Sequence, residues 1–309
     1  MASEIDLHIH TNASQDGELT PREVFEEARR LGIRAIAFAD HDSVASVDAG
    51  VALSREFGVD FAPCVEITTK LSGCDPHLLG YFIDWRSARL DTALGRIGRA
   101  LMEQARSRVE RLRSLGFQID FDDVRTASEG RHPTTAAIVS ALRLKPGNLA
   151  DRRFTRYVRG DRSDSPVYNF YRDWFSPGTP AFVELDTLTT PEAVALVHSL
   201  GGVAVMAHPG RTPAELVDEI AEAALDGLEV FCSTHTPEDA ARFGALARAR
   251  GLLMTAGSDF HGPSIKPDIR LGELSGGTHA MFDALRERAL STRRLAQRPE
   301  PRQGAKERR

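Results

Sequence analysis

Residues 5–42 read IDLHIHTNASQDGELTPREVFEEARRLGIRAIAFADHD, and this stretch decides the fold class. Ile5, Leu7 and Ile9 alternate with Asp6, His8 and His10, the period-two pattern of a strand, so both imidazoles point to one face. Thr20-Pro21 then opens a helix: Thr is a good N-cap, Pro suits the first helical position, and Glu23 completes a capping box. Val24, Phe25, Ala28 and Leu31 form the apolar stripe of that helix, and Gly32 supplies its stop. Ile33 to Ala39 is a short continuous apolar run, the signature of a strand buried on both faces, and it ends at Asp40-His41-Asp42.

The same devices recur along the chain. Thr190-Pro191, Thr212-Pro213 and Thr236-Pro237 repeat the helix start, and apolar runs at 61–67, 78–83, 203–207, 228–231 and 252–256 read as further buried strands. Strand and helix in alternation, with both sheet faces covered, predict a parallel α/β sheet closed or nearly closed into a barrel. The rhythm breaks between residues 87 and 182. One long, arginine-rich helical stretch is followed there by short helical pieces rich in Gly, Pro and Asp. This segment reads as a helical subdomain inserted between two halves of the barrel, 1–86 and 183–292. Its Tyr168, Phe170, Tyr171, Trp174 and Phe175 read as the insert's own core or its seam with the barrel, rather than as a base-stacking platform.

Composition narrows the function classes. The 309 residues are 41% hydrophobic, enough for a real core, and no apolar run is long enough to span a bilayer. Met1 to His8 has neither a basic nor an apolar leader region, and three scattered cysteines are too few for a disulfide framework, so a soluble protein of a reducing cytoplasm is expected. Net charge is −5, but residues 293–309 hold seven basic residues against Glu300 and Glu307, which leaves the first 292 at −10. That tail reads as disordered and solubilising, and the acidic body argues against a protein built mainly to grip nucleic acid.

The polar residues carry the chemistry. His8 and His10 lie on the first strand, His41 ends the second, Glu66 lies at the end of the third, His77 starts the fourth, His208 ends another, and Asp259 and His261 end the last. In parallel barrels the carboxyl ends of the strands gather at one rim, so these groups should meet. Imidazoles and carboxylates without cysteine suit manganese, iron or zinc, and the set exceeds the roughly four to six ligands of a single ion. Two or three divalent ions bridged by Glu66 are therefore expected.

The runs IDLHIHTNASQDG, FADHD, VEIT, PHLLGYFID, VAVMAHPGR and TAGSDFHG resemble, in order, the motifs of the polymerase-and-histidinol-phosphatase (PHP) family. The likeness covers roughly residues 3 to 84 and 183 to 275. It is strongest to a small phosphoesterase branch that includes nucleotide phosphatases, a cyclic phosphodiesterase and a 5′-to-3′ oligoribonucleotide exonuclease. It implies a distorted (β/α)7 barrel and a trinuclear site. Carried over by motif, His8, His10, Glu66 and Asp259 would hold the first ion, His41, His208 and Asp16 the second, and Glu66, His77 and His261 the third. Two departures stand out. Asp16 falls six residues after His10 where the family has five, and the insert reads Gly130-Arg131-His132-Pro133 where relatives have Arg-x-His.

Around that core, Asp40 and Asp42 flank His41 either as orienting carboxylates or as caps, and Asp6 reads as structural. The proton donor to the leaving group is either a pocket histidine such as His235, in a Ser-Thr-His-Thr run after a strand, or a metal-bound water, and His235 and Asp40 are the candidate catalytic residues. Lys70, Arg131 and Arg211 are the candidate phosphate-binding cations. The expected reaction is hydrolysis of a phosphomonoester of a small metabolite or nucleotide by a metal-bridging hydroxide, with the insert as a lid. The rivals are a phosphodiesterase acting on a cyclic phosphate or a short oligonucleotide, a carbon–nitrogen hydrolase on a related barrel, and a non-catalytic metal-binding scaffold.

Overall fold

The computed structural model describes residues 3–129, 131–222 and 224–296. Eight short strands run β1 (Ile5–Ile9), β2 (Ala35–Phe38), β3 (Asp60–Pro63), β4 (Glu66–Thr68), β5 (His77–Tyr81), β6 (Val203–Met206), β7 (Gly227–Cys232) and β8 (Leu253–Gly257). They form two sheets, β1-β2-β3 and β4-β5-β6-β7-β8, rather than one closed seven-stranded barrel. The sheets meet at two seams through single bridges, Ile9 with Phe260 and His41 with Glu66. Both seams pass through the segments that carry the candidate ligands.

Two local features correct the all-parallel expectation. The run 61–67 is not one strand: Pro63 has no N–H to continue the ladder, and the chain leaves β2 there and pairs anew with β5 from Glu66. Strand β5 is antiparallel to both β4 and β6. Its link from β4 spans only residues 69–76, too short for the dozen or so residues that a parallel crossover needs. Because β5 runs backwards, its first residue, His77, reaches the rim that β1, β2, β6 and β8 reach at their carboxyl ends.

Helix starts follow the sequence closely. Thr20 caps the helix Pro21–Leu31 in a capping box with Glu23, and Thr236 caps Pro237–Arg250 with Asp239. In the third case the cap is Thr189, boxed with Glu192, so the helix Thr190–Ser199 starts one residue before the expected place. In the fourth the helix begins at Ala214, just past Pro213. The helix His279–Ala296 sends Phe282, Leu285 and Ala289 into a cluster with Ile5, Val203 and Ala256, closing the end of the sheets opposite the candidate ligands. It continues to Ala296, four residues into the segment read as disordered; 297–309 lie outside the described residues.

Between β5 and β6 a 27-residue helix, Ala88–Ser114, leads into a group of short helices with their own core, including Phe117, Phe154, Tyr157, Phe170 and Phe175. Tyr171 and Trp174 pack against it, whereas Tyr168 is 63% exposed.

Candidate metal centre

Glu66 is the hub. Its carboxylate is fully buried, with five imidazoles facing its two oxygens. Oε1 lies 3.0 Å from His77 Nδ1 and 3.0 Å from His208 Nε2. Oε2 lies 3.3 Å from His8 Nε2, 3.3 Å from His10 Nε2 and 3.1 Å from His41 Nδ1. Asp259 Oδ1 closes the His8–His10 side, 3.7 and 3.4 Å from their Nε2 atoms. Asp16 Oδ2 approaches from the loop after β1, 3.7 Å from His41 Nε2 and 3.4 Å from His261 Nε2. All nine residues expected at the rim are therefore brought together, Asp16 with its extra spacer residue included.

The cluster has the marks of a cation site. Glu66 Oε2 and His41 Nδ1 are buried and, among the described residues, take part in no hydrogen bond despite their proximity. His8 and His10 turn their Nε2 atoms toward each other at 3.2 Å, where two neutral lone pairs would repel without a positive charge between them. Three groups of donor atoms are compact enough to hold an ion: His8, His10 and Glu66; His10, Asp16, His41 and His261; and His41, Glu66 and His77. This grouping differs from the motif-based division. His261 falls with Asp16 and His41, because its Nδ1 donates to the Asp259 carbonyl at 2.8 Å and turns Nε2 toward Asp16. His208 falls with His77 on the Glu66 Oε1 side.

Electrostatics divide the imidazoles: against the pull of burial, Glu229 and Glu66 hold His8 well above its usual range, and Asp259 and Glu66 raise His10 to about 9, so the carboxylates draw positive charge onto these two rings. Burial lowers His41 to about 3 and His208 to about 4, so both stay neutral at pH 7, the form that binds metal. Burial pushes the Glu66 carboxyl up, but the charges of His8 and His77 and the hydrogen bond with His10 more than offset it and hold it well below the usual range. Three residues of the rim, Asp42, His208 and Asp259, have positive φ, a strained backbone of the kind that gathers at functional sites.

A buried glutamate was missed in the sequence. Glu229, inside the apolar strand β7, bonds His8 Nδ1 at 3.0 and 3.2 Å and accepts the His208 N–H at 2.8 Å. It therefore fixes the His8 ring so that Nε2 faces Glu66. A carboxylate at the centre of Gly-Leu-Glu-Val-Phe-Cys was the available signal. Ser14 was also passed over; its hydroxyl bonds His10 Nδ1 at 3.3 Å and donates to Asp16 at 2.8 Å.

Both members of the expected catalytic pair have hydrogen-bond partners of their own. Asp40 accepts from the Thr11 N–H at 2.6 Å, from the Thr11 hydroxyl and from Ser46, so its oxygens are spent pinning the loop that carries Asp16. His235 Nδ1 donates to the Val230 carbonyl at 2.9 Å, and Nε2 accepts the Gly210 N–H at 3.1 Å. Both nitrogens are thus bound to backbone, and the ring braces the turn after His208. Asp42 likewise accepts from the Thr68 N–H and hydroxyl. Asp6 is structural as expected, accepting from Ser258 and Gly272.

The three candidate cations differ in place. Arg211 Nη2 bonds Asp259 Oδ2 at 3.0 Å, at the cluster itself. Arg131, from the insert, donates to the Ser14 carbonyl at 3.1 Å, above the Asp16 loop. Lys70 pairs with Asp186 at 2.8 Å. His132 is half-buried against Gly98.

Comparison with known proteins gives a consistent answer. The PHP domain family matches residues 6–114. The chain is 28% identical over 267 residues to a 3′,5′-nucleoside bisphosphate phosphatase of Chromobacterium violaceum, covering 84% of this chain and 87% of that one. It is 30% identical over 276 residues to the 5′-3′ exoribonuclease Rnm of Escherichia coli, covering 86% and 87%. Its fold matches, at TM-score 0.71 and 31% identity, a protein of Bifidobacterium adolescentis described by inference as a metal-dependent phosphoesterase, over 92% of this chain and 96% of that one.

Proposed function

The chain belongs to the PHP domain family and is a metal-dependent phosphoesterase, and on that premise we propose that it hydrolyses a phosphomonoester of a small metabolite or nucleotide at two or three divalent ions bridged by Glu66. The observation that carries this reading is the convergence of five imidazoles on the two oxygens of one buried carboxylate. Manganese, iron and zinc all suit the donor set. When bound, such ions supply a nucleophile at neutral pH and positive charge against the phosphoryl oxygens.

The chain's own residues do the rest. Glu229 and Ser14 hold the rings of His8 and His10 in place, and Asp40 fixes the loop that presents Asp16. Arg211 stands beside Asp259 with its side chain 44% exposed, ready to meet a phosphoryl oxygen entering from solvent. The insert reaches the rim through Arg131 and would act as the lid that selects the leaving group. No helix among the described residues is long and apolar enough to cross a membrane. The three unpaired cysteines fit a reducing compartment.

The test is phosphate release from nucleotides, bisphosphorylated nucleosides and sugar phosphates with manganese supplied, beside a cyclic phosphate and a 5′-phosphorylated dinucleotide. Fastest turnover is expected on a monoester, with none after chelation. Faster cleavage of the cyclic phosphate or the dinucleotide would replace this reading with a diesterase. No turnover on any of them by protein with verified bound metal would replace it with a scaffold.

A further inference from the structure

Asp259 divides its carboxylate between two neighbourhoods. Oδ1 faces His8 and His10, while Oδ2 accepts from two cations at once, Arg211 at 3.0 Å and Lys266 Nζ at 2.9 Å. Lys266 comes from the segment after β8, far in sequence from Arg211, and nothing in the motifs marks it. Each cation gains more from the shared oxygen, at 3.0 and 2.9 Å, than it loses to the other, and the buried Glu66 and Glu229 add to the hold on Arg211, so the fold keeps two positive charges side by side there. The pair lies on the solvent side of the cluster: the Lys266 and Arg211 side chains are 27% and 44% exposed, against 2% for Asp259.

The fold takes trouble to put Lys266 there. Gly262 has φ of +116°, and a Cβ at that position would meet Glu18 at 2.4 Å, so the chain can turn there only with glycine. Glu18 then ties the far side of the turn, accepting from the Ser264 N–H and hydroxyl, both at 2.9 Å. The Lys266 N–H returns to the Gly262 carbonyl at 3.0 Å, which aims its side chain back at Asp259.

We propose that Lys266 and Arg211 form a two-cation clamp on the phosphoryl oxygens of the substrate, with Lys266 the half supplied by the Gly262 turn. The inference rests on the phosphomonoesterase reading. Arg211 presents a planar fork and Lys266 a compact point charge, a pair suited to gripping two oxygens of one tetrahedral phosphoryl group.

The test uses the full metal-loaded protein and inorganic phosphate as probe. Lys266→Met should weaken calorimetric phosphate binding and raise KM for a monoester by about tenfold each, the worth of one charge-assisted hydrogen bond. Metal content should match wild type and kcat should stay within about threefold, and Lys266→Arg should restore most of the phosphate affinity. Unchanged phosphate affinity in Lys266→Met would overturn the clamp. So would a loss of metal with unchanged phosphate affinity in the loaded fraction, which would assign Lys266 to holding Asp259. A wild-type protein that binds phosphate through Lys266 but releases none from any monoester would overturn the substrate reading and leave the clamp standing.

Discussion

At the scale of single residues, the site depends on side chains that never need to touch substrate. Glu229 is the clearest case, since it holds His8 from behind and the turn of His208 from below. Glu229→Ala should weaken metal binding by about 10- to 100-fold, read by titration of the metal-free protein, because the His8 ring loses its orienting partner. Retained wild-type affinity would show that packing alone orients the ring. Gly257 is a second case. A Cβ there would meet the His8 Cβ at 2.2 Å and Glu229 Oε1 at 2.5 Å, so Gly257→Ala should push His8 out of line and lower the metal content of folded protein. The candidate ligands were legible because they stand at strand ends in a chain with only ten histidines. Glu229 and Lys266 were not, because the first looks like an interruption of a buried strand and the second acts through a turn that no local pattern announces.

At the scale of elements, capping was readable almost to the residue. Thr236 accepts from the Asp239 N–H, and Asp239 reaches back to Thr236, so Thr236→Ala should cost about 1 kcal/mol in denaturant unfolding with metal content unchanged. No change in the unfolding midpoint would mean that the helix Pro237–Arg250 is held by packing alone. The slip from Thr190 to Thr189 has a simple cause: both threonines precede Pro191, and Glu192 lies three residues after Thr189, the spacing a capping box requires. Strand direction was less legible. Apolar runs carry no arrow, and the reversal of β5 follows from the shortness of the 69–76 link rather than from the run itself. That reversal brings His77 to Glu66, whereas a parallel β5 would have placed it at the far end of the sheet.

At the scale of the whole molecule, the expected barrel became two sheets joined at seams that also carry the candidate ligands, so the fold and the site should be coupled. Ions that bind only the native state add to its stability, by about 2.7 kcal/mol at 100 times the dissociation constant. Chelation should therefore lower Tm as well as abolish turnover, and metal should restore both; an unchanged Tm would mean that the seams close without ions. A second tie is Asp226, which accepts from the Ala204 N–H, from Arg288 and from His198, joining β6 to two helices. Burial would raise its pKa, but the His198 hydrogen bond and its other partners hold it below the usual value. A depressed folded pKa adds stability above the unfolded value near 4 and loses it as pH falls further. Asp226→Asn should thus destabilise the protein at pH 7 and flatten the loss of stability below about pH 4, read by denaturant melts across that range.

Anomalous scattering from crystals grown with manganese reports most directly on whether one carboxylate gathers the cations. Two or three peaks about 3.5–4 Å apart, each contacting Glu66 or a ligand shared with it, are expected among His8, His10, Asp16, His41, His77, His208, Asp259 and His261. Fully loaded protein with its manganese elsewhere, or with Glu66 outside every coordination sphere, would contradict the proposed centre.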